Sequence, residues 1–178
     1  MSKPNAFQLM MKSAQTTDRK TKSGYTIIKG LDTVAEDSCF LLQFDGLSQP
    51  NPGISTGGAV LFSPTRNVIF ERGEFIDFAT NNQAEYTGLI IGIQTAIDLG
   101  IKNILIEGDS QLVILQTEGK WKVKHEGLKS LHMEVKSLLS NFDFIAIRHI
   151  GREKNGYADK ITNNVLQSKK SYFTNMKK

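Results

Sequence analysis

Apolar positions follow two rhythms along the chain. From Cys39 onward, "CFLLQFDG", "GGAVLF" and "RNVIFERGEF" are short runs dense in apolar residues, separated by the turn-forming stretches "PNPGISTG" and "SPTRN". Runs of this length between Gly-, Pro- and Asn-rich punctuation read as strands, and three in succession with short connections predict an antiparallel meander. The spacing then changes. Leu89, Ile90, Ile93 and Ile97 fall on one side of a helix over about residues 82–99, which Gly100 stops. Gly88 and Gly92 lie on adjacent turns of that helix and allow close approach to another backbone.

A fourth strand, "IKNILIEGD", closes on Asp109, and "SQLVILQTEG" is a brief helical stretch. Leu128, Leu131, Val135 and Leu138 predict a helix over residues 126–140, "FDFIAIRHI" a fifth strand and "YADKITNNVLQ" a last helix. The order β, β, β, α, β, α, β, α predicts an α/β fold with a mixed sheet, since strand-helix-strand connections of this length run parallel. Residues 39–166 are expected to form one domain. Residues 1–38 lack sustained periodicity and read as a mostly disordered extension, although Phe7, Met10, Met11 and Ala14 have the spacing of one helical face or are stray apolar residues of a tail. Residues 167–178 read as a basic tail.

Composition narrows the classes. The 178 residues carry a net charge of +4, of which the ends (1–38 and 166–178) contribute +6 and residues 39–165 contribute −2. Basic ends suit a polyanionic partner, and an acidic cluster meeting the same polyanion requires cations. Cys39 is the single cysteine, which excludes an internal disulfide and a cysteine-based zinc site and favours a reducing compartment. No stretch has the length of a membrane span or the apolar core of a signal peptide, so the expectation is a soluble, intracellular protein, cytoplasmic or nuclear and not secreted.

The acids fall at the edges of elements. Asp45 ends the first strand, Glu85 lies in the first turn of the first long helix, Asp109 ends the fourth strand and Asp159 begins the last helix. Each alone reads as a cap or helix-dipole partner; Asn82 and Glu85 have the form of a capping box. Together, at strand ends and helix starts, they read as a site. Carboxylates that converge there repel one another, and oxygen ligands without cysteine select Mg²⁺ or Mn²⁺. Two such ions suit phosphodiester cleavage.

Four segments carry a resemblance: "FDGLSQPNPG" from Phe44, "TNNQAEYTGLIIGIQTAIDLG" from Thr80, "IEGDSQLVI" from Ile106 and "RHIGREKNGYAD" from Arg148. In this order and spacing the chain resembles ribonuclease H of type 1 over about residues 39–166. The resemblance implies a five-stranded mixed sheet, three strands antiparallel and two parallel through crossover helices, and cleavage of the RNA strand of RNA·DNA hybrids to 5′-phosphate and 3′-hydroxyl ends. It makes Asp45, Glu85, Asp109 and Asp159 the ligands of two Mg²⁺ ions, for which Mn²⁺ substitutes. Asp45 bridges both ions, Asp159 stands beside the water-activating one, and Glu85 with Asp109 holds the other.

The resemblance also implies minor-groove and phosphate contacts from Asn51, Thr80, Asn81, Asn82, Ser110 and Gln111. Short amides and hydroxyls on tight turns are suited to reading 2′-hydroxyls, and ordinary turn chemistry is the other reading of "NPG" and "TNN". His149 corresponds to a histidine that assists proton transfer or product release in some members, or is structural here because it directly follows an apolar strand. Arg152, nearby in the loop, reads as a phosphate contact instead. Trp121 and Lys122, in "EGKWKVKHEGLK", stand where many bacterial members carry a longer basic protrusion; they imply weak contact with the DNA strand, or Trp121 is a core residue. His125 and His132 read as surface or packing residues. "QSKKSYFTNMKK" faintly resembles a sliding-clamp-binding peptide through Tyr172 and Phe173, and otherwise is a solvated basic tail. The expected species is a monomer. The rival readings are a non-cleaving hybrid-binding module on the same fold and a 3′ to 5′ exonuclease.

Overall fold

The computed structural model describes residues 18–176. Its elements are β1 (Thr26–Lys29), β2 (Phe40–Ser48), β3 (Gly53–Phe62), β4 (Val68–Ala79), α1 (Asn81–Asp98), β5 (Asn103–Gly108), α2 (Gln111–Thr117), α3 (Glu126–Leu139), β6 (Phe144–His149), α4 (Gly156–Ser168) and β7 (Tyr172–Asn175). The runs after Cys39 pair as the antiparallel meander β2–β3–β4. Beyond α1, β5 joins β2 and β6 joins β5, both in parallel. The sheet order is β1-β6-β5-β2-β3-β4-β7.

The sheet therefore has seven strands where five were expected. The five expected strands form its middle, and each end of the chain adds one: β1 pairs with β6 and β7 with β4, both antiparallel. Each added strand is four residues long, too short to show alternation, and is ordered by an edge that the rest of the chain has already built.

Alternation splits the sheet into two faces. On one, Leu42, Phe44, Leu61, Ile104 and Ile106 are buried with Leu89 and Ile93 of α1 and Leu128 and Val135 of α3. On the other, Ala158 and Ile161 of α4 pack on Val60, while Tyr25 and Ile27 cover Cys39, Leu41, Leu105 and Ala146. Covering that face with residues 25–27 removes apolar surface from water, the main favourable term in folding. Buried Glu107 lies beneath this cover, where Tyr25 Oη, Gln43 Nε2 and Arg148 Nη2 all donate to its carboxylate. Burial alone would raise the Glu107 pKa, but these donors hold it below the ordinary carboxylate value.

The expectation of a mostly disordered residue 1–38 segment is thus corrected for its second half, which is part of the folded body; Phe7, Met10, Met11 and Ala14 lie outside the described residues. The C-terminal tail is ordered as β7 at the sheet edge, with its residues still largely exposed as expected. Phe173 packs against Phe70 with ring centroids 6.1 Å apart, which holds the aromatic pair of the clamp-peptide resemblance in β7 although Phe173 stays 52% exposed. No helix among the described residues is long and apolar enough to cross a membrane.

The start of α1 also differs from expectation. Thr80, not Asn82, is the N-cap: its hydroxyl accepts from Gln83 N–H while the Gln83 side chain accepts from Thr80 N–H. The capping box is Thr80 with Gln83. Glu85 lies beyond the first turn, and its carboxylate takes no part in the cap.

Candidate active site

The parallel pairing of β2 with β5 runs to Phe44↔Gly108. The next residue on each chain segment is an aspartate, so Asp45 and Asp109 emerge side by side where the two strands diverge. Asp45 does not end its strand as expected, because β2 continues to Ser48 in register with β3. Glu85 is delivered by α1, which lies directly on β2 at two glycines. A methyl group on Gly46 would stand 2.1 Å from the Glu85 nitrogen, and one on Gly88 would stand 2.2 Å from the Asp45 carbonyl oxygen. Only bare backbone allows that approach.

The result is a close group of three acids. One carboxylate oxygen from each of Asp45, Glu85 and Asp109 lies within 4.8 Å of the others. Asp159 does not belong to that group, contrary to the expected four-way convergence. It occupies the first turn of α4, across the sheet from α1, and sequence places it on an element without fixing how far that element stands from the strand. Its charge still bears on Asp45.

Burial and mutual repulsion control the electrostatics. Asp45 is pushed up to about 6, first by burial and then by the Asp109 charge, while the Thr162 hydroxyl and the Gly46 N–H pull the other way. Glu85 is held well above the ordinary carboxylate value, again by burial first and then by Asp45 and Asp109. Its Oε2 is buried without a hydrogen-bond partner. Such an atom requires explanation, since buried polar groups are normally satisfied. A hard divalent cation would give that oxygen a partner and offset the repulsion, and the all-oxygen donor set fits one.

A test without substrate follows. In chelator at neutral pH, Glu85→Gln is expected to melt higher than the wild type by about 2–4 °C, the shift of roughly 1 kcal/mol in a domain of this size, because it removes a carboxyl group whose ionisation burial and the neighbouring acids oppose in the folded state. Calorimetric melting checks this, and a lower melting temperature would show that the carboxylate stabilises the metal-free fold.

The segment after β6 closes over Asp109. Asn155, fully buried, donates from Nδ2 to Asp109 Oδ1 at 3.1 Å and to the Phe44 carbonyl at 2.8 Å. Arg152 Nε lies 3.5 Å from Asp109 Oδ2, and His149 Nε2 lies 3.2 Å from the Asp109 carbonyl. His149 is exposed at the end of β6, which brings it to the site rather than into the core. Sequence reasoning missed Asn155 and Thr162. Asn155 is the N-cap residue of α4 and Thr162 lies three residues after Asp159 within it, and the spacing of these polar residues around Asp159 is the signal the sequence offers.

A groove of about 940 Å³ lies on the α1 side. Asn51, Thr80, Asn81, Asn82, Trp121 and Lys122 all line it, so six of the expected substrate contacts share one surface. Turn chemistry accounts for part of this. Asn51 Oδ1 accepts from Asn81 N–H, and Asn81 Oδ1 accepts from Ser48 N–H, which leaves the amide NH₂ of each side chain for the groove. Trp121 is 46% exposed and no core residue. Lys120 pairs with Asp18 and Glu118, whereas Lys122 and Lys124 make no salt bridge among the described residues. Ser110 caps α2 through Val113 N–H; Ser110, Gln111 and Arg152 lie around Asp109, outside the groove. His125 caps α3, and His132 packs edge-on against Tyr86.

Known proteins resemble this chain in sequence and fold. The family described as Reverse transcriptase-like matches residues 43–165. Ribonuclease HI of Halobacterium salinarum is 41% identical over 123 residues, 69% of this chain and 62% of that protein. The bifunctional protein Rv2228c of Mycobacterium tuberculosis is 38% identical over 129 residues, 72% of this chain and 35% of its own length. The chain therefore spans about three fifths of the first of these relatives and about a third of the second. Among solved structures, RNase H1 from Halobacterium salinarum superposes with a TM-score of 0.71 at 39% identity, covering 72% of this chain and 98% of that one. LC11-RNase H1 in complex with an RNA/DNA hybrid superposes with a TM-score of 0.68 at 28% identity, covering 73% and 98%.

Proposed function

The chain belongs to the ribonuclease H family, type 1, and from that premise we propose that it cuts the RNA strand of RNA·DNA hybrids internally, leaving 5′-phosphate and 3′-hydroxyl ends. The observation that carries this reading is the meeting of Asp45, Glu85 and Asp109 within 4.8 Å, beside the buried and unpartnered Glu85 Oε2. Two Mg²⁺ ions, or Mn²⁺ in their place, would when bound supply an activated water and stabilise the leaving oxygen. Asp45, Glu85 and Asp109 would hold the metal, with Asp159, on the first turn of α4, as the fourth acid that would assist.

The remaining residues bind, orient and move protons. Asn51, Thr80, Asn81 and Asn82 meet the minor groove, where amide donors read the 2′-hydroxyls that mark the RNA strand. Ser110 and Gln111 extend that contact beside Asp109. Trp121 packs on a sugar of the DNA strand while Lys122 meets its phosphate. Arg152 leaves Asp109 for a phosphate of the RNA strand, and His149, exposed beside the site, passes a proton to solvent. The hybrid bound by LC11-RNase H1 supports the choice of substrate. The protein acts as a monomer inside the cell, in the cytoplasm or nucleus.

The test uses an RNA·DNA hybrid, a DNA duplex and an RNA duplex, each end-labelled, with Mg²⁺ and with chelator. Internal cuts confined to the hybrid RNA and dependent on Mg²⁺ are expected. Retention of hybrid without cutting, in Mg²⁺ and in Mn²⁺, would instead make the chain a binding module, and stepwise loss from one end would make it an exonuclease. The groove assignment has its own check in Lys122→Ala. It is expected to raise KM for the hybrid about threefold to tenfold, leave kcat within about twofold, and lower the slope of log affinity against log salt by roughly 1; an unchanged slope would remove Lys122 from the interface.

A further inference from the structure

Thr162 stands on the buried side of α4, one turn beyond Asp159, and is fully buried. Its Oγ1 lies 2.9 Å from Asp45 Oδ2 and 2.8 Å from the Asp159 carbonyl oxygen. A threonine hydroxyl has one proton to give, so it serves one of these acceptors at a time. The carbonyl does not depend on it, because Asn163 Nδ2 donates to the same oxygen at 2.8 Å. The carboxylate is charged and buried, and hydrogen bonds to charged acceptors are the stronger kind. The proton therefore goes to Asp45.

The surroundings hold the hydroxyl in place. Thr56 of β3 donates from Oγ1 to the Thr162 carbonyl at 3.1 Å, which ties this turn of α4 to the sheet. Directly beneath, β3 carries Gly58, where a methyl group would stand 2.9 Å from Thr162 Cγ2 and 3.3 Å from the Ala158 carbonyl. A side chain at residue 58 would lift the helix and withdraw the hydroxyl from Asp45. A bare glycine below, a backbone tether beside it and a spare donor on the neighbouring carbonyl all leave the Thr162 proton aimed at the carboxylate.

We propose that Thr162 is a positioning residue for Asp45. Its hydroxyl holds the carboxylate in one orientation, so that the acid meets Glu85 and Asp109 ready to share a divalent cation, and it ties the turn carrying Asp159 to the same carboxylate. The role rests on the function proposed above, since it matters to catalysis only if Asp45 is a ligand. Partners of this kind, behind the ligands themselves, are typically worth about 10- to 100-fold in metal affinity or activity.

Thr162→Val keeps the side-chain shape and removes the donor. The measurements are Mn²⁺ affinity of the protein without substrate, by calorimetric titration, and kcat and KM on the hybrid. Thr162→Val is expected to weaken Mn²⁺ binding and to lower kcat, each by about tenfold or more, with KM within about twofold. Thr162→Ser, which restores the hydroxyl, recovers most of both. Should the valine variant melt below the assay temperature, Thr162→Ser against Thr162→Ala isolates the hydroxyl, because both lack the methyl group. Wild-type Mn²⁺ affinity and kcat in Thr162→Val, or equal losses in the serine and alanine variants, would overturn the assignment. If the wild type cuts no hybrid, the proposed function fails, and the Mn²⁺ titrations still decide whether Thr162 positions Asp45.

Discussion

Asp45→Asn is expected to lower hybrid cleavage at least about a thousandfold, roughly 4 kcal/mol of lost transition-state stabilisation, with no loss of folded structure. Asparagine has the same shape, and its side-chain oxygen still accepts the Thr162 hydroxyl that lies 2.9 Å from Asp45 Oδ2. What disappears is the charge that Glu85 and Asp109 crowd against. In chelator the variant should melt no lower than the wild type, because Asp45 is buried among acids that already push it toward its neutral form. Single-turnover cleavage of a labelled hybrid and circular dichroism melting give the two halves of the result. Cutting at the wild-type rate would remove Asp45 from the metal site.

Gly88→Ala probes how the site is assembled rather than what it holds. The added methyl would stand 2.2 Å from the Asp45 carbonyl oxygen and 2.9 Å from that of Gly58, and these backbone atoms of two paired strands cannot swing aside. α1 must then rise from the sheet and carry Glu85 away from Asp45. Overpacking of this kind costs about 3 kcal/mol, a fall in melting temperature of roughly 6–12 °C. Cleavage in the still-folded variant should fall more than tenfold. Gly92→Ala is the comparison: its methyl would meet the Leu42 side chain at 2.7 Å, and a leucine end can shift, so the loss should be smaller. Equal and small losses at both glycines would show that close approach at Gly88 is not what brings Glu85 to the site.

Much of this was legible in the chain because it depends on local rules. The runs after Cys39 and the helical spacing of Leu89, Ile90, Ile93 and Ile97 fix element types through burial on one face, and the middle five strands follow. Gly88 announced a close approach, though its partner, the Asp45 carbonyl, lies far away in sequence. β1 and β7 were illegible because four residues carry no period, and their order comes from Glu107, Arg148 and Phe70, which are distant in sequence. The cap on α1 is ambiguous in sequence because Asn82 with Glu85 and Thr80 with Gln83 both have the spacing of a capping box; the backbone selects Thr80. Asp45, Glu85 and Asp109 meet because paired strands and a close-packed helix carry them, while the position of Asp159 depends on how deeply α4 sits over Gly58, a packing distance that no spacing encodes.

Crystals of the Asp159→Asn variant with a hybrid and Mn²⁺ give the most direct view of the central claim. Anomalous scattering is expected to place a manganese ion in contact with the carboxylates of Asp45, Glu85 and Asp109 together. Full occupancy of Mn²⁺ elsewhere on the protein, with no anomalous peak among these three, would contradict it.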